Sequence, residues 1–205
     1  MITLDALSAD KLHADLDPAI IGREIVVLED TTSTNDSVLE RTSASTPEGL
    51  VVFGERQSAG RGQRNNSWES AAGKGLWFSV LLRPKIDIAS SPQLAEWAAR
   101  NVADTISKEF ALPATIKLPN DVYVAGKKVA GVLVEMRAQK SAAHIAIVGI
   151  GVNVNHQLED FSGELGARAT SLAMALGRQI DRHQLAIALL RDLNLTYVDV
   201  FGRKP

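Results

Sequence analysis

The stretch DVYVAGKKVAGVLVEMR, Asp121–Arg137, decides the fold. Apolar and polar side chains alternate over Asp121–Val124 and again over Val129–Arg137, with the turn Ala125-Gly126-Lys127 between them. A period of two is the pattern of a half-buried strand. Two such runs joined by a short glycine-bearing turn predict an antiparallel hairpin. His144–Val154, rich in β-branched residues, reads as the strand that follows. Three strands without an intervening helix break the β-α-β-α rhythm of a doubly wound sheet.

Working outward, Glu24–Glu29, Leu50–Gly54, Leu76–Leu82 and Ala114–Lys117 are further strand candidates, the last cut short by Pro119. Thr34–Arg41 reads as a helix after the polar turn Thr31–Ser33. Pro92–Phe110 carries Leu94, Trp97, Ala98, Val102 and Ile106 on one stripe, the spacing of an amphipathic helix. Ser171–Leu176 and Arg182–Phe201 complete the set, the latter with Leu185, Leu189, Leu193 and Tyr197 at steps of four. The expected class is α+β, a mixed β-sheet with helices mainly on one face. Residues 1–22 read as a lead-in with Ser8 as a helix cap, and residues 23–205 as the body of one domain.

Composition narrows the chemistry. A net charge of -2 over 205 residues provides no general electrostatic footprint for nucleic acid or a membrane surface, so neither is an expected partner. The absence of cysteine excludes a thiolate nucleophile and a cysteine zinc site, and it suits a reducing cytoplasm. The N-terminus lacks the basic start and apolar run of a secretory signal, and no apolar stretch reaches the roughly 20 residues that span a bilayer. The expected location is therefore cytoplasmic. His13, His144, His156 and His183 fall at no ligand spacing and read as structural or surface residues.

Two glycine pairs imitate phosphate loops and fail. After Gly149-Ile150-Gly151 the third glycine of a dinucleotide fingerprint would fall at 154, which is Val154. At Gly73-Lys74 the first glycine of a P-loop would fall at 68, which is Trp68, and Gly75 replaces the hydroxyl residue. The stretch QSAGRGQRNNSW, Gln57–Trp68, is different. Gly60 and Gly62 allow close backbone approach, Arg61 and Arg64 offer planar forks for carboxylate or phosphate, and Trp68 could cover a flat ligand. Those residues alone fit an anion-binding loop and a solvated surface loop alike.

Five segments in order remove that ambiguity: Thr32-Ser33-Thr34-Asn35, the QSAGRG of the loop, Lys117-Leu118-Pro119-Asn120-Asp121, Lys128–Glu135 (KVAGVLVE) and Gly149-Ile150-Gly151-Val152-Asn153. Together, from about Glu24 to Leu195, the chain resembles the catalytic domain of biotin–protein ligases. The resemblance implies a biotin/lipoate ligase-like fold and two chemical steps. Biotin and ATP form biotinyl-5′-adenylate and pyrophosphate. A lysine of a biotin carboxyl carrier protein then takes the biotinyl group and releases AMP.

The resemblance also implies roles. Ser33, Thr34, Asn35, Gln57, Gly60, Ser79 and Gly131 would bind biotin, whose neutral ureido ring calls for hydroxyl and amide partners. Trp77, Val132 and Leu133 are candidates to line its aliphatic chain. Arg61 and Lys117 would bind biotin and ATP, neutralising the phosphate charge as catalytic residues by electrostatic stabilisation. Gln63, Arg64, Trp68, Asn120 and Asn153 would hold ATP and the adenylate. Mg²⁺ would accompany ATP, with Asp121 as a candidate oxygen ligand.

The chain departs from the family in places. Its loop reads GRGQRN where GRGRRG is common, differing at Gln63 and Asn65; the charge missing at Gln63 predicts weaker retention of the adenylate, and Leu118 stands where many relatives have tryptophan. The lead-in is too short for a helix-turn-helix, and the chain stops at Arg203-Lys204-Pro205 without the C-terminal β-barrel of most relatives, which is absent or not included. Relatives often self-associate through sheet edges, making a homodimer an expectation. A lipoate–protein ligase-like enzyme and a biotin- or adenylate-binding protein impaired in transfer are the alternatives.

Overall fold

In the computed structural model, residues 6–18, 20–139 and 144–201 are described. The expectation of a missing C-terminal barrel bears on Arg203–Pro205 and lies outside them. Seven strands are found among the described residues: β1 (Glu24–Thr31), β2 (Leu50–Gln57), β3 (Gly75–Leu82), β4 (Ala114–Lys117), β5 (Asp121–Val124), β6 (Lys127–Arg137) and β7 (Ile145–Asn153). They form one sheet in the order β1-β2-β3-β7-β6-β5-β4. The hairpin and the strand after it lie side by side as expected, β5 on β6 and β6 on β7, both antiparallel.

One pair is parallel. β1 and β2 run the same way, and parallel neighbours need a crossover. The helices are α1 (Ala9–Asp15), α2 (Thr34–Glu40), α3 (Ser91–Phe110), α4 (Leu165–Arg168), α5 (Leu172–Leu176) and α6 (Arg182–Phe201). α2 is that crossover. It covers the face opposite to α3 and α6, burying Val38 against Leu50, Val52, Leu81, Ile145 and Ile147. The helices are thus mainly, but not wholly, on one face.

The opposite face carries the main core. Val51, Phe53, Leu76, Phe78, Val80, Val132, Val148, Ile150 and Val152 meet the stripes of α3 and α6 there. Each large side chain removed from water in this way contributes roughly 1.5–3 kcal/mol. The lead-in joins the same core, since Leu12 of α1 is fully buried and Ser8 caps that helix. Asn194 of α6 accepts from the backbone N–H groups of Ile20 and Ile21, both at 2.9 Å, fastening the lead-in to the body.

One irregularity matters for the site. Tyr123 pairs with Lys128 but Val122 pairs with Ala130, so Val129 is an extra residue in β6. Such a bulge shifts the alternation of side chains on one side of it. No helix among the described residues is long and apolar enough to cross a membrane.

Candidate active site

On the face left open beyond α2, β6 and β7 present Gly131, Gly149 and Gly151 where valines and isoleucines fill the reverse side. Each glycine has a close neighbour in the place of a side chain. A Cβ on Gly151 would come within 2.7–3.0 Å of the Trp68 indole, one on Gly131 within 2.9 Å of the same ring, and one on Gly149 would overlap the Asn35 carboxamide. These strands lack side chains here so that other groups can lie flat on their backbone.

The N-terminus of α2 supplies the polar wall. Thr34 N–H donates to Gln57 Oε1 at 2.9 Å, and Gln57 Nε2 donates to Ser70 Oγ at 3.1 Å. Ser79, fully buried on β3, has its Oγ 2.7 Å from Thr34 Oγ1 and 2.6 Å from Asn35 Oδ1. Its single proton serves one of these at a time. Asn35 Nδ2 donates to Glu135 Oε2 at 2.6 Å. Ser33, Thr34, Asn35 and Gln57 line a slot of about 50 Å³, with Ser79 behind them. The residues that sequence reasoning assigned to the ureido ring are therefore brought together.

The loop from Gln57 to Trp68 forms the lid. It is fastened to β1 and the turn after it by Ser58 N–H to Thr31 O and Ala59 N–H to Thr32 O, both 2.9 Å. It folds on itself through Trp68 N–H to Gly60 O at 2.8 Å and Gly62 N–H to Asn66 O at 2.7 Å. Gly60 leaves no room for a side chain beside the Trp68 carbonyl. Arg61, Gln63 and Trp68 line the slot. Arg64 turns the chain at a φ of 57° and points its side chain to solvent, outside the slot.

Arg61 is engaged on both sides. It meets Asp36 through two bonds of 2.7 Å and Glu135 at 3.3 Å. The Arg61 guanidinium holds the Asp36 carboxyl below the usual carboxylate range, and Asp36, with help from Glu135, holds Arg61 above its own.

Lys128 is a second cation at the slot beside Arg61, and sequence reasoning passed over it. Regular alternation back from Gly131 would aim Val129 and Lys127 at the slot. The extra residue in β6 sends Val129 into the core and aims Lys128 at the slot instead. Its ammonium lies 2.7 Å from Asp121 and 5.3 Å from the centre of the Trp68 ring. The doubled lysine at 127 and 128 was the available signal, but regular alternation back from Gly131 points to Lys127 and not to Lys128.

Lys117 is not brought to the slot. It ends β4, the outermost strand, is exposed, and lines neither this slot nor the cavity beside it. Its ammonium lies 6.0 Å from the Tyr123 ring. Asn120 does reach the slot, donating to Val132 O at 3.1 Å. Val132 and Leu133 line the slot, whereas Trp77 is buried in the interior.

A larger cavity of about 420 Å³ adjoins the slot and shares Trp68 and Lys128 with it. Asn153 lies in its wall, donating to Thr170 O at 3.1 Å, alongside Tyr123, Asp160, Arg168 and Ala169. His156 also lines it, stacked on Phe161 at 5.2 Å and edge-on to Trp77 at 6.1 Å. Burial pushes this imidazole down from 6.5 to about 4, with Asp160 opposing and Lys74 reinforcing.

Residues 27–153, which carry the slot, its lid and all three floor glycines, match the Biotin/lipoate A/B protein ligase family. The chain belongs to that family. The bifunctional ligase/repressor BirA of Bacillus subtilis is 38% identical over 176 residues, covering 86% of this chain and 54% of the relative. The biotin–[acetyl-CoA-carboxylase] ligase of Mycobacterium tuberculosis is 32% identical over 188 residues, covering 89% and 67%. The chain thus spans about half the length of BirA. Among solved structures, biotin protein ligase from Aquifex aeolicus in complex with biotin and ATP is similar, with a TM-score of 0.71 and 31% identity over 86% of this chain and 72% of that one. As a family member the chain has the expected mixed sheet, and the candidate site lies where β6, β7 and the lid converge.

Proposed function

We propose that the chain is the catalytic part of a biotin–protein ligase. It would activate biotin with ATP to biotinyl-5′-adenylate and transfer the biotinyl group to a lysine of a biotin carboxyl carrier protein. The observation that carries this reading is that a polar slot and a larger cavity meet at one lysine, Lys128. That arrangement suits a reaction in which a carboxylate in one compartment must meet a phosphate in the other.

The uncharged hydroxyl and amide groups around Thr34 suit a ureido ring, and the glycine floor lets a flat ligand lie against the backbone. A carboxylate oxygen attacks the α-phosphorus and pyrophosphate leaves, so negative charge gathers where the compartments join. Lys128 is the cation placed to neutralise it, by position and electrostatics and without proton transfer. In the second step the neutral amine of the carrier lysine attacks the acyl carbon, AMP leaves, and the amine sheds a proton. The larger cavity suits the nucleotide, with Asn153 in its wall and Trp68 between base and slot.

Mg²⁺ would enter with ATP and supply charge neutralisation of the triphosphate. No group of three or more metal-type side chains occurs among the described residues. Asp121, a single carboxylate already paired with Lys128, suits contact with an ion carried by the nucleotide better than a resident site. The slot is too small for biotin as it stands, because ligand pockets typically need roughly 300 Å³ or more. Trp68 and the lid must therefore shift on binding.

A cytoplasmic location, a domain spanning residues 23–205 and self-association through sheet edges belong to the same reading. Incubation with ATP, biotin and an unmodified carrier domain tests it. Gain of one biotinyl group on the carrier is the expected result. Adenylate without transfer would favour the binding-protein alternative, and preference for lipoate over biotin would favour the lipoate ligase.

A further inference from the structure

We infer that Asp36 is a positioning residue which, with Glu135, latches the Gln57–Trp68 lid through Arg61 and sets how long the acyl-adenylate is held. The inference rests on the ligase reading above, but the latch itself is a property of the folded chain. Asp36 stands on the first turn of α2 and Glu135 near the end of β6, so the two carboxylates come from different elements. Arg61 bridges them, with a two-pronged contact to Asp36 and a longer one to Glu135. A bidentate arginine–carboxylate pair fixes direction as well as distance.

Glu135 extends the latch into the slot wall. Its Oε2 accepts from Asn35 at 2.6 Å as well as from Arg61 at 3.3 Å. One carboxylate oxygen therefore holds the lid's arginine and orients the carboxamide that lies over Gly149. Closing the lid and setting the wall are one event. Arg61 is thus held in place by two carboxylates, as Lys128 is by Asp121.

Gln63 sharpens the consequence. It lines the slot without a charge, so retention of a charged intermediate falls to the lid's other fastenings. Asp36 is exposed enough that removing its charge should spare the fold, because such pairs contribute little to stability. It lines neither cavity, so its loss should leave the chemical step intact.

The experiment uses the full chain and the variants Asp36→Asn and Asp36→Glu. The first arm measures tryptic cleavage after Arg61 and Arg64 without added substrate. The second measures release of preformed biotinyl-5′-adenylate, with biotin-dependent ATP–pyrophosphate exchange at saturating substrates as the control. Asp36→Asn should speed cleavage and release by about three- to fivefold, the size of one partly exposed ion pair, with exchange within about twofold of wild type. Salt should accelerate release from wild type more than from Asp36→Asn. Asp36→Glu should recover most of the protection. Unchanged cleavage in Asp36→Asn overturns the latch; faster cleavage with unchanged release overturns its role in retention. If wild type makes no adenylate the ligase reading falls, and the proteolysis arm still decides the latch.

Discussion

The two faces of β6 and β7 differ more than any other two regions of the molecule. On one face Val132, Val148, Ile150 and Val152 pack against α3 and α6, and almost nothing is left exposed. On the other, one residue away along the same strands, Gly131, Gly149 and Gly151 leave the backbone bare beneath an indole and a carboxamide. The first face is filled by the strands themselves and stabilises the fold. The second is filled from outside, by α2 and a lid, and its contents can change. Strand alternation permits both, because adjacent residues point in opposite directions.

Adjacent substitutions should separate the two faces. Ile150→Ala opens a cavity on the helix-covered face and should cost about 2–5 kcal/mol of stability, measured by urea unfolding. A variant as stable as wild type would show that this face is not tightly packed.

Acid should act on the cavity side. His156 is held neutral by burial, with its value lowered from 6.5 to about 4. The unfolded chain therefore takes up a proton that the folded chain refuses. Its contribution is fully present above pH 6.5 and is lost as pH falls towards 4, by about 3 kcal/mol. Unfolding of wild type and His156→Phe at pH 7, 5.5 and 4.5 checks the sign. Equal slopes in both would remove His156 from the account.

The smallest effect belongs to the glycine floor. A Cβ at position 151 would stand within 3.0 Å of the Trp68 indole, a side chain on a lid that can give way. Gly151→Ala should change stability by less than about 1 kcal/mol. It should nonetheless move Trp68 outward and shift tryptophan emission to the red, since Trp77 and Trp97 are buried elsewhere. Unshifted emission would mean that the ring does not rest on this floor.

The same contrast explains what the sequence disclosed. The hairpin, the strand after it and the stripes of α3 and α6 were legible because alternation and helical spacing are local. The parallel pairing of β1 with β2, and with it the position of α2, was not, since pairing direction leaves no mark on alternation. Thr34, Asn35 and Gln57 were legible only as members of recognisable motifs. Lys128 was hidden by one extra residue in β6. Lys117 was favoured by a motif, yet it stands on the outermost strand with its side chain in solvent. The partners of Arg61 lie 25 and 74 residues away along the chain, and no spacing rule reaches them.

The central claim is that slot and cavity meet at Lys128, and biotin-dependent ATP–pyrophosphate exchange tests it most directly. Lys128→Ala and Lys117→Ala should be measured beside wild type under the same saturating conditions. The arrangement predicts a fall of about 10²–10³-fold for Lys128→Ala, the usual effect of removing one electrostatic contact to a transition state, and a change within about threefold for Lys117→Ala. Near-normal exchange in Lys128→Ala with a collapse in Lys117→Ala would contradict it.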